Sequence, residues 1–343
     1  MKPCVADQLS LEPCLEFGRD GGAGLETAAA ERDRGVELSR EAAHSRAVFI
    51  GPFEHHSNEL PWRESAADVV TISEETDGRP DLNHLEHELR RHADRPLKIG
   101  SFSAASNVTG IIADVDGTSR LLHDHGALAC FDYAAAGPYL PVDMAGKDAV
   151  FLSPHKFVGG PGTPGVLVAK RALLHNRVPS VPGGGTVLFV SSSGHVYHPD
   201  PVIREEGGTP AIVESIRAGL VCALKEQVGV QEIQRREQDF ARRALASWRR
   251  NPNIEILGST PTGRLPIISF GLRHPPRLLH GNFVVALLSD LFGIQARSGC
   301  FCAGPYLHRR YAIDDDWSER MHAQCSVGQL GAKLSFSRLV VLW

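Results

Sequence analysis

Phe151-Leu152-Ser153-Pro154-His155-Lys156-Phe157-Val158-Gly159-Gly160-Pro161-Gly162-Thr163-Pro164-Gly165 sets a lysine between an apolar run and a glycine-rich loop. Ala149 to Leu152 reads as a strand, so Lys156 follows a strand's carboxyl end. A lysine so placed forms an imine with an aldehyde cofactor when its amine is partly desolvated, because the neutral amine is the nucleophile. The glycines let the backbone approach a bound group closely. A surface lysine ahead of a turn has the same letters, and the stretch alone leaves both readings open. It contains no Gly-Lys-Ser or Gly-Lys-Thr, which excludes a P-loop.

Working outward, Val48 to Ile50, Val69 to Ile72, Leu97 to Ile99, Leu128 to Asp132 and Val166 to Val168 also read as strands. Between them the pattern predicts helices over Leu82 to Arg91, with Leu82, Leu85 and Leu89 on one face, and over Thr118 to His125, stopped by Gly126. The alternation implies an α/β fold: a mostly parallel sheet covered by helices on both faces, with ligands gathering at the carboxyl ends of the strands. A long helix pair is expected over Glu214 to Arg250, where Ile233, Phe240, Ala241, Ala244, Leu245 and Trp248 recur at helical spacing. After Pro252, Ile254 to Leu257, Leu265 to Phe270, a helix over Asn282 to Phe292 and Ile294 to Arg297 make a smaller αβ unit. The expected division is a poorly ordered segment over 1–46, a large α/β domain over 47–250 and a small C-terminal αβ domain over 251–343.

The chain has 343 residues, 42% hydrophobic and 22% charged, enough for one large domain and a smaller one. A net charge of -4 leaves no basic excess to neutralise a phosphate backbone, so nucleic acid is not an expected partner. The most apolar helical stretch, Phe283 to Ile294, contains Ser289 and Asp290 and falls short of the roughly 20 apolar residues of a membrane span. Met1 to Asp7 lacks the apolar core of a secretory signal, and the expectation is a soluble cytoplasmic protein. Cys4, Cys14, Cys130, Cys222, Cys300, Cys302 and Cys325 are scattered and odd in number, which suits reduced thiols.

Asp132 closes the apolar strand Leu128-Ala129-Cys130-Phe131. An acid there holds a pyridine nitrogen protonated, which makes the ring an electron sink for a carbanion at a substrate's α-carbon. An aspartate capping the following loop is the competing reading.

Four segments occur in order: Glu54-His55-His56-Ser57-Asn58, Ser106-Asn107-Val108-Thr109-Gly110, Asp132-Tyr133-Ala134 and Ser153-Pro154-His155-Lys156. Together they resemble the class V aminotransferases, pyridoxal-phosphate enzymes of fold type I, and cysteine desulfurases in particular. The resemblance implies that His55 stacks on the pyridoxal 5'-phosphate ring, Asn107 contacts its phenolic oxygen and Asp132 pairs with its nitrogen. Ser153 and His155 would bind its phosphate, and Lys156 would carry it as a Schiff base and act at the α-carbon. Gly207-Gly208-Thr209-Pro210 resembles a loop that crosses a dimer interface, so a homodimer is implied, with Thr209 reaching the neighbouring phosphate. Gly183-Gly184-Gly185 resembles a turn near the active site.

Ala296-Arg297-Ser298-Gly299-Cys300-Phe301-Cys302-Ala303-Gly304-Pro305 resembles the desulfurase segment with the nucleophilic cysteine, here Cys302. Its thiolate would take the sulfur of a bound cysteine as a persulfide and release alanine. Ordinary buried thiols remain the alternative. Cys300 and Cys302 with His308 make only half a zinc site, and no metal is expected. Arg338 resembles the family arginine that clamps a substrate carboxylate, a role that suits a guanidinium fork, and Arg297 is grouped with it.

The family's Gly/Thr-rich phosphate loop is expected ahead of Val48, yet Gly21-Gly22-Ala23-Gly24 follows no strand, and Trp343 comes soon after Arg338. The chain is therefore expected to be short at both ends. Ala135 stands where many desulfurases carry glutamine, which with Tyr133 points to a subgroup whose reaction differs. The expected function is a pyridoxal-phosphate enzyme acting on an amino acid, desulfurase-like, with a sulfur acceptor protein as a further partner. Class V transamination or carbon-sulfur lysis is the alternative within that chemistry. A truncated non-catalytic family member, acting as an interaction or regulatory protein, is the alternative from another class.

Overall fold

The structure is a computed structural model, and it describes residues 46–258 and 263–340. The expected N-terminal segment up to residue 45, with Gly21 to Gly24, Cys4 and Cys14, lies outside the described residues, as does Trp343.

Six strands form the main sheet: β1 (Arg46–Ile50), β2 (Asp68–Thr71), β3 (Leu97–Ser103), β4 (Leu128–Asp132), β5 (Ala149–Leu152) and β6 (Val166–Ala169). Their order is β2-β1-β3-β4-β5-β6, parallel from β2 to β5 and antiparallel at the β5/β6 edge. Ala47 to Ile50 of β1 are buried, the two-faced burial of a central parallel strand. Side-chain alternation splits the core. On one face Phe49, Phe102 and Phe131 pack against Leu85, Leu89 and Leu122; on the other Val48, Ile50, Ile99 and Cys130 pack against Trp62.

Trp62 comes from α1 (His56–Arg63), the two leucines from α2 (Leu82–Arg91) and Leu122 from α3 (Val115–Asp124). Asp81 caps α2 by accepting from the Asn83 and His84 amides. Helix α3 begins three residues before the expected Thr118, because Asp114 caps it through the Gly117 amide. Leu122 lies against Gly100 of β3 so closely that an added methyl would stand 2.3 Å from its Cδ1. Gly126, at φ 67°, ends the helix as expected.

Beyond the sheet lie a ribbon of β7 (Val187–Val190) and β8 (His195–Tyr197), a short α4 (Pro201–Glu205), then α5 (Ile212–Val228) and α6 (Val230–Trp248). The ribbon was not expected. The helix pair was, and it breaks at Gly229, whose φ of 86° strains any side chain.

The remainder builds a second, antiparallel sheet from β9 (Ile254–Ile256), β10 (Ile267–His274), β11 (Arg277–Leu279), β12 (Arg297–Gly299) and β13 (Phe336–Val340). Its order is β11-β10-β13-β12, with β9 also on β10. Helices α7 (Gly281–Phe292), α8 (Gly304–Arg310) and α9 (Asp315–Ser326) connect its later strands. The strand expected at Ile294 to Arg297 starts only at Arg297. The architecture is the expected α/β fold with a smaller C-terminal sheet.

Candidate active site

Parallel register lines up the strand ends. Ser103 pairs with Asp132, and Asp132 with Phe151, so β3, β4 and β5 deliver their last residues to one edge. Asp132 Oδ1 accepts from the Ala134 amide at 2.6 Å, so the aspartate also caps its own loop. Beyond β5, Ser153 is buried and Pro154 to Lys156 form a single 3-10 turn, closed by the Lys156 amide on the Ser153 carbonyl at 2.9 Å. Gly160 folds onto that turn: an added methyl would stand 1.9 Å from the Pro154 carbonyl oxygen. This glycine is required by the lysine's own turn rather than by a ligand's approach.

An open cleft of about 820 Å³, mouth included, lies over this edge. His55, Asn107, Asp132, Ser153 and Lys156 line it, with Ser103 and Ala135. Five of the sequence-predicted residues therefore meet at one space. His155 stands partly buried outside the lining, and Thr209 is exposed on a separate loop whose Gly208 amide donates to the Gly184 carbonyl at 2.7 Å. Thus the two glycine loops singled out in the sequence hold each other. Arg297 is exposed, and it pairs across β12 and β13 with Arg338.

The loop carrying His55 is pinned by its neighbour Glu54, which sequence reasoning passed over. The buried Glu54 carboxylate accepts from the Ser103 amide at 2.8 Å, Ser103 Oγ at 2.6 Å, Asn58 Nδ2 at 2.6 Å and the Gly51 amide at 3.2 Å. Burial nevertheless pushes its pKa up to about 7, against those hydrogen bonds and with the Asp132 charge adding to the rise. An acid directly after the apolar run Val48 to Phe53 was the available signal. His55 caps α1, its Nδ1 accepting from the Ser57 amide at 3.1 Å.

The second sheet and the residues leading into β10 hold the Asn107 loop through four successive carbonyls. Arg338 Nη1 donates to Asn107 at 2.7 Å and Ser269 Oγ to Val108 at 2.6 Å. Arg264 Nη2 donates to Thr109, and the Leu265 amide to Gly110 at 2.8 Å. Asn107 Nδ2 in turn donates to the Phe301 carbonyl at 2.7 Å, and the Arg338 guanidinium lies 4.8 Å over the Phe301 ring. Burial and the nearby Arg297 lower the Arg338 pKa to about 10. Cys302 follows Phe301 and is partly exposed, outside the cleft lining; its carbonyl accepts from the His56 amide at 2.7 Å.

A carboxylate, an imidazole, an amide and a primary amine around one cleft fit an aldehyde-bearing pyridine. The carboxylate suits a protonated ring nitrogen, the imidazole suits stacking and the amine suits condensation. Among the described residues, no group of three or more His, Cys, Asp or Glu side chains is placed to hold a metal ion, and no helix is long and apolar enough to cross a membrane.

A mostly parallel sheet with a lysine and an aspartate at its strand ends, joined to a smaller antiparallel sheet, defines an α/β fold with an open cleft over those ends. The sequence model of the family described as Aminotransferase class-V matches residues 32–320, and the chain belongs to that family. It is 30% identical over 266 residues to a "Probable cysteine desulfurase" of Halalkalibacterium halodurans, covering 76% of this chain and 62% of the relative. It is 31% identical over 273 residues to "Probable cysteine desulfurase 2" of Mycobacterium leprae, covering 78% of this chain and 62% of that protein. The chain thus spans less than two thirds of the length of these curated relatives. The fold is shared with the cysteine desulfurase CsdA of Escherichia coli, at TM-score 0.71 and 20% identity, covering 100% of this chain and 87% of that one. The apo cysteine desulfurase of Thermococcus onnurineus NA1 superposes at TM-score 0.68 and 21% identity with the same coverage.

Proposed function

We propose that the protein is a pyridoxal-phosphate-dependent enzyme acting on an amino acid, with cysteine desulfuration as the leading reaction. The observation that carries this reading is the convergence of Lys156, Asp132, His55 and Asn107 on one cleft. When bound there, pyridoxal phosphate supplies an electron sink for charge developing at the substrate's α-carbon. Lys156 would hold the aldehyde through its amine and would be the base nearest the substrate's α-proton. Asp132 would keep the pyridine nitrogen protonated, His55 would stack on the ring, Asn107 would contact its phenolic oxygen, and Ser153, with His155 beside the lining, would hold the phosphate. Arg338, with Arg297 beside it, receives the substrate carboxylate.

Cys302 would take the sulfur. Its thiolate attacks the cysteine sulfur, the carbon-sulfur bond breaks, and alanine leaves with a persulfide on the protein for an acceptor protein. The tie between Cys302 and His56, one residue from His55, supports this role. Transamination or carbon-sulfur lysis is favoured instead by Ala135, which lines the cleft without a hydrogen-bonding side chain. A homodimer is supported by α5, which turns Ile212, Ile216, Leu220 and Leu224 to solvent in one strip, and by exposed Phe189 and Val190 on the ribbon. Thr209 on its exposed loop is free to reach a neighbouring subunit's site in such a dimer.

The deciding experiment is the visible spectrum with added pyridoxal phosphate, then borohydride reduction, peptide mapping and alanine release from cysteine. A yellow protein labelled at Lys156, with turnover lost in Cys302→Ala, is expected. Turnover that survives in Cys302→Ala overturns the desulfurase reading in favour of lysis or transamination. A colourless, unlabelled chain overturns the enzyme reading and leaves a non-catalytic family member.

A further inference from the structure

Cys302 sits on a turn whose backbone is held in an unfavourable shape. Phe301 and Cys302 are consecutive non-glycine residues with φ of 55° and 56°, in the left-handed region where a Cβ crowds its own carbonyl. The turn is closed by the Ala303 amide on the Cys300 carbonyl at 3.0 Å, a single hydrogen bond that leaves the two middle residues to be fixed from outside. Phe301 is fixed: its ring lies beneath Arg338 and its carbonyl accepts from Asn107.

Cys302 and Gly304 are both fixed by one residue far back along the chain. The His56 amide donates to the Cys302 carbonyl at 2.7 Å, and the Gly304 amide donates to His56 Nε2 at 3.0 Å. The imidazole therefore serves as an acceptor through Nε2, with its proton on Nδ1, and partial burial favours that neutral form. Contact at Gly304 is close, since an added methyl would stand 3.3 Å from Nε2.

We propose that His56 is a positioning residue, a clasp that holds Cys302 by its own carbonyl and by the amide two residues on. His55 lines the cleft and His56 grips the cysteine turn, so a single peptide bond sets the thiol's place relative to the cleft ring. Both ties are to the main chain, and the partly exposed Cys302 is a free cysteine. That geometry suits a group which collects an atom in the cleft and passes it outward. The last step rests on the proposed role of Cys302; the clasp does not.

The test compares His56→Ala with His56→Gln, whose Oε1 can accept from the Gly304 amide in place of Nε2. In the protein without cofactor, hydrogen exchange at Gly304 and alkylation of Cys302 by iodoacetamide, with Cys325 as the internal reference, report the turn directly. His56→Ala is expected to raise both by about tenfold, and His56→Gln to restore both to within about threefold of the parent. Gly304→Ala crowds the same contact from the opposite side and must reproduce the loosening. In cysteine turnover, kcat is expected to fall in His56→Ala with KM and the Lys156 cofactor absorbance unchanged. Unchanged exchange and alkylation in folded His56→Ala, or in Gly304→Ala if that variant does not fold, overturn the clasp. Because these two readouts need no turnover, absence of desulfuration in the parent protein sinks the activity reading alone.

Discussion

Arg338 reaches from β13 and donates Nη1 to the main-chain carbonyl of Asn107 at 2.7 Å. The arginine offered as a substrate clamp is thus already part of the scaffold, holding the loop whose own side chain lines the cleft. Its Nε is buried without a hydrogen-bond partner among the described residues, and that edge is the one the proposed substrate carboxylate would take. A lysine keeps the charge but cannot serve the Asn107 carbonyl, stack on Phe301 and fork onto a carboxylate together. Arg338→Lys is expected to raise KM for the amino acid by about tenfold to a hundredfold and to lower stability by about 1–3 kcal/mol. Steady-state kinetics and urea unfolding check the two effects, and an unchanged KM removes Arg338 from the substrate site.

Glu54 makes stability fall as pH rises. Its pKa stands at about 7 in the folded protein against an ordinary 4.5, mainly because burial disfavours the charged form. Between these values the folded state binds more protons than the unfolded state, so unfolding free energy declines with pH and levels off above about 7. The loss is on the order of 3 kcal/mol at most. Melting temperatures from pH 5 to pH 8 should show the decline in the parent protein and a flatter profile in Glu54→Gln. A parent profile that rises over the same window would mean the four hydrogen bonds outweigh burial.

Much of the main sheet is legible in the letters because β1 to β5 are short apolar runs bounded by polar turns, and Lys156 and Asp132 announce themselves by ending such runs. The direction of β6 is not legible, since Val166 to Ala169 has the same pattern paired either way. The β7–β8 ribbon escapes for a related reason. Its Leu188, Phe189 and Val190 are exposed, so no burial-driven alternation marks them. At the site, Glu54 and His56 stand inside a segment recognised from its letters, but their roles come from partners far along the chain. Ser103 lies 49 residues from Glu54, and Gly304 lies 248 residues from His56. Spacing arguments reach a turn or two of helix, whereas these contacts exist only once two sheets have met.

Helix α5 carries two apolar faces, and only one is covered. Ala218 and Val221 are buried toward the Lys156 turn, while Ile216 and Leu220 are 62% and 63% exposed on the other side. If that strip is the proposed dimer surface, a charge there is desolvated on association without a partner. Leu220→Asp is expected to weaken self-association by at least about a hundredfold. Sedimentation velocity over a concentration series reads this directly, and a parent protein that stays monomeric at high concentration rejects the interface.

Lys225 joins that helix to the loop behind Asp132. Its Nζ donates to the carbonyls of Gly137, at 2.6 Å, and Leu140, and lies 5.6 Å from the centre of the Phe157 ring. Burial holds its pKa down at about 8, below the ordinary 10.5. Between these values the folded state binds fewer protons than the unfolded state, so this lysine makes stability rise with pH, the reverse of Glu54. Lys225→Met removes the cost of the buried charge and leaves two carbonyls without their donor. The second effect should win at pH 7, lowering stability by about 1–3 kcal/mol, because an unmade hydrogen bond costs its full desolvation. Urea unfolding at pH 7 and pH 10 separates the two contributions. A variant more stable than the parent at pH 7 would show that the ammonium strains α5 rather than bracing it, while equal losses at both pH values would place the lysine's charge outside the balance altogether.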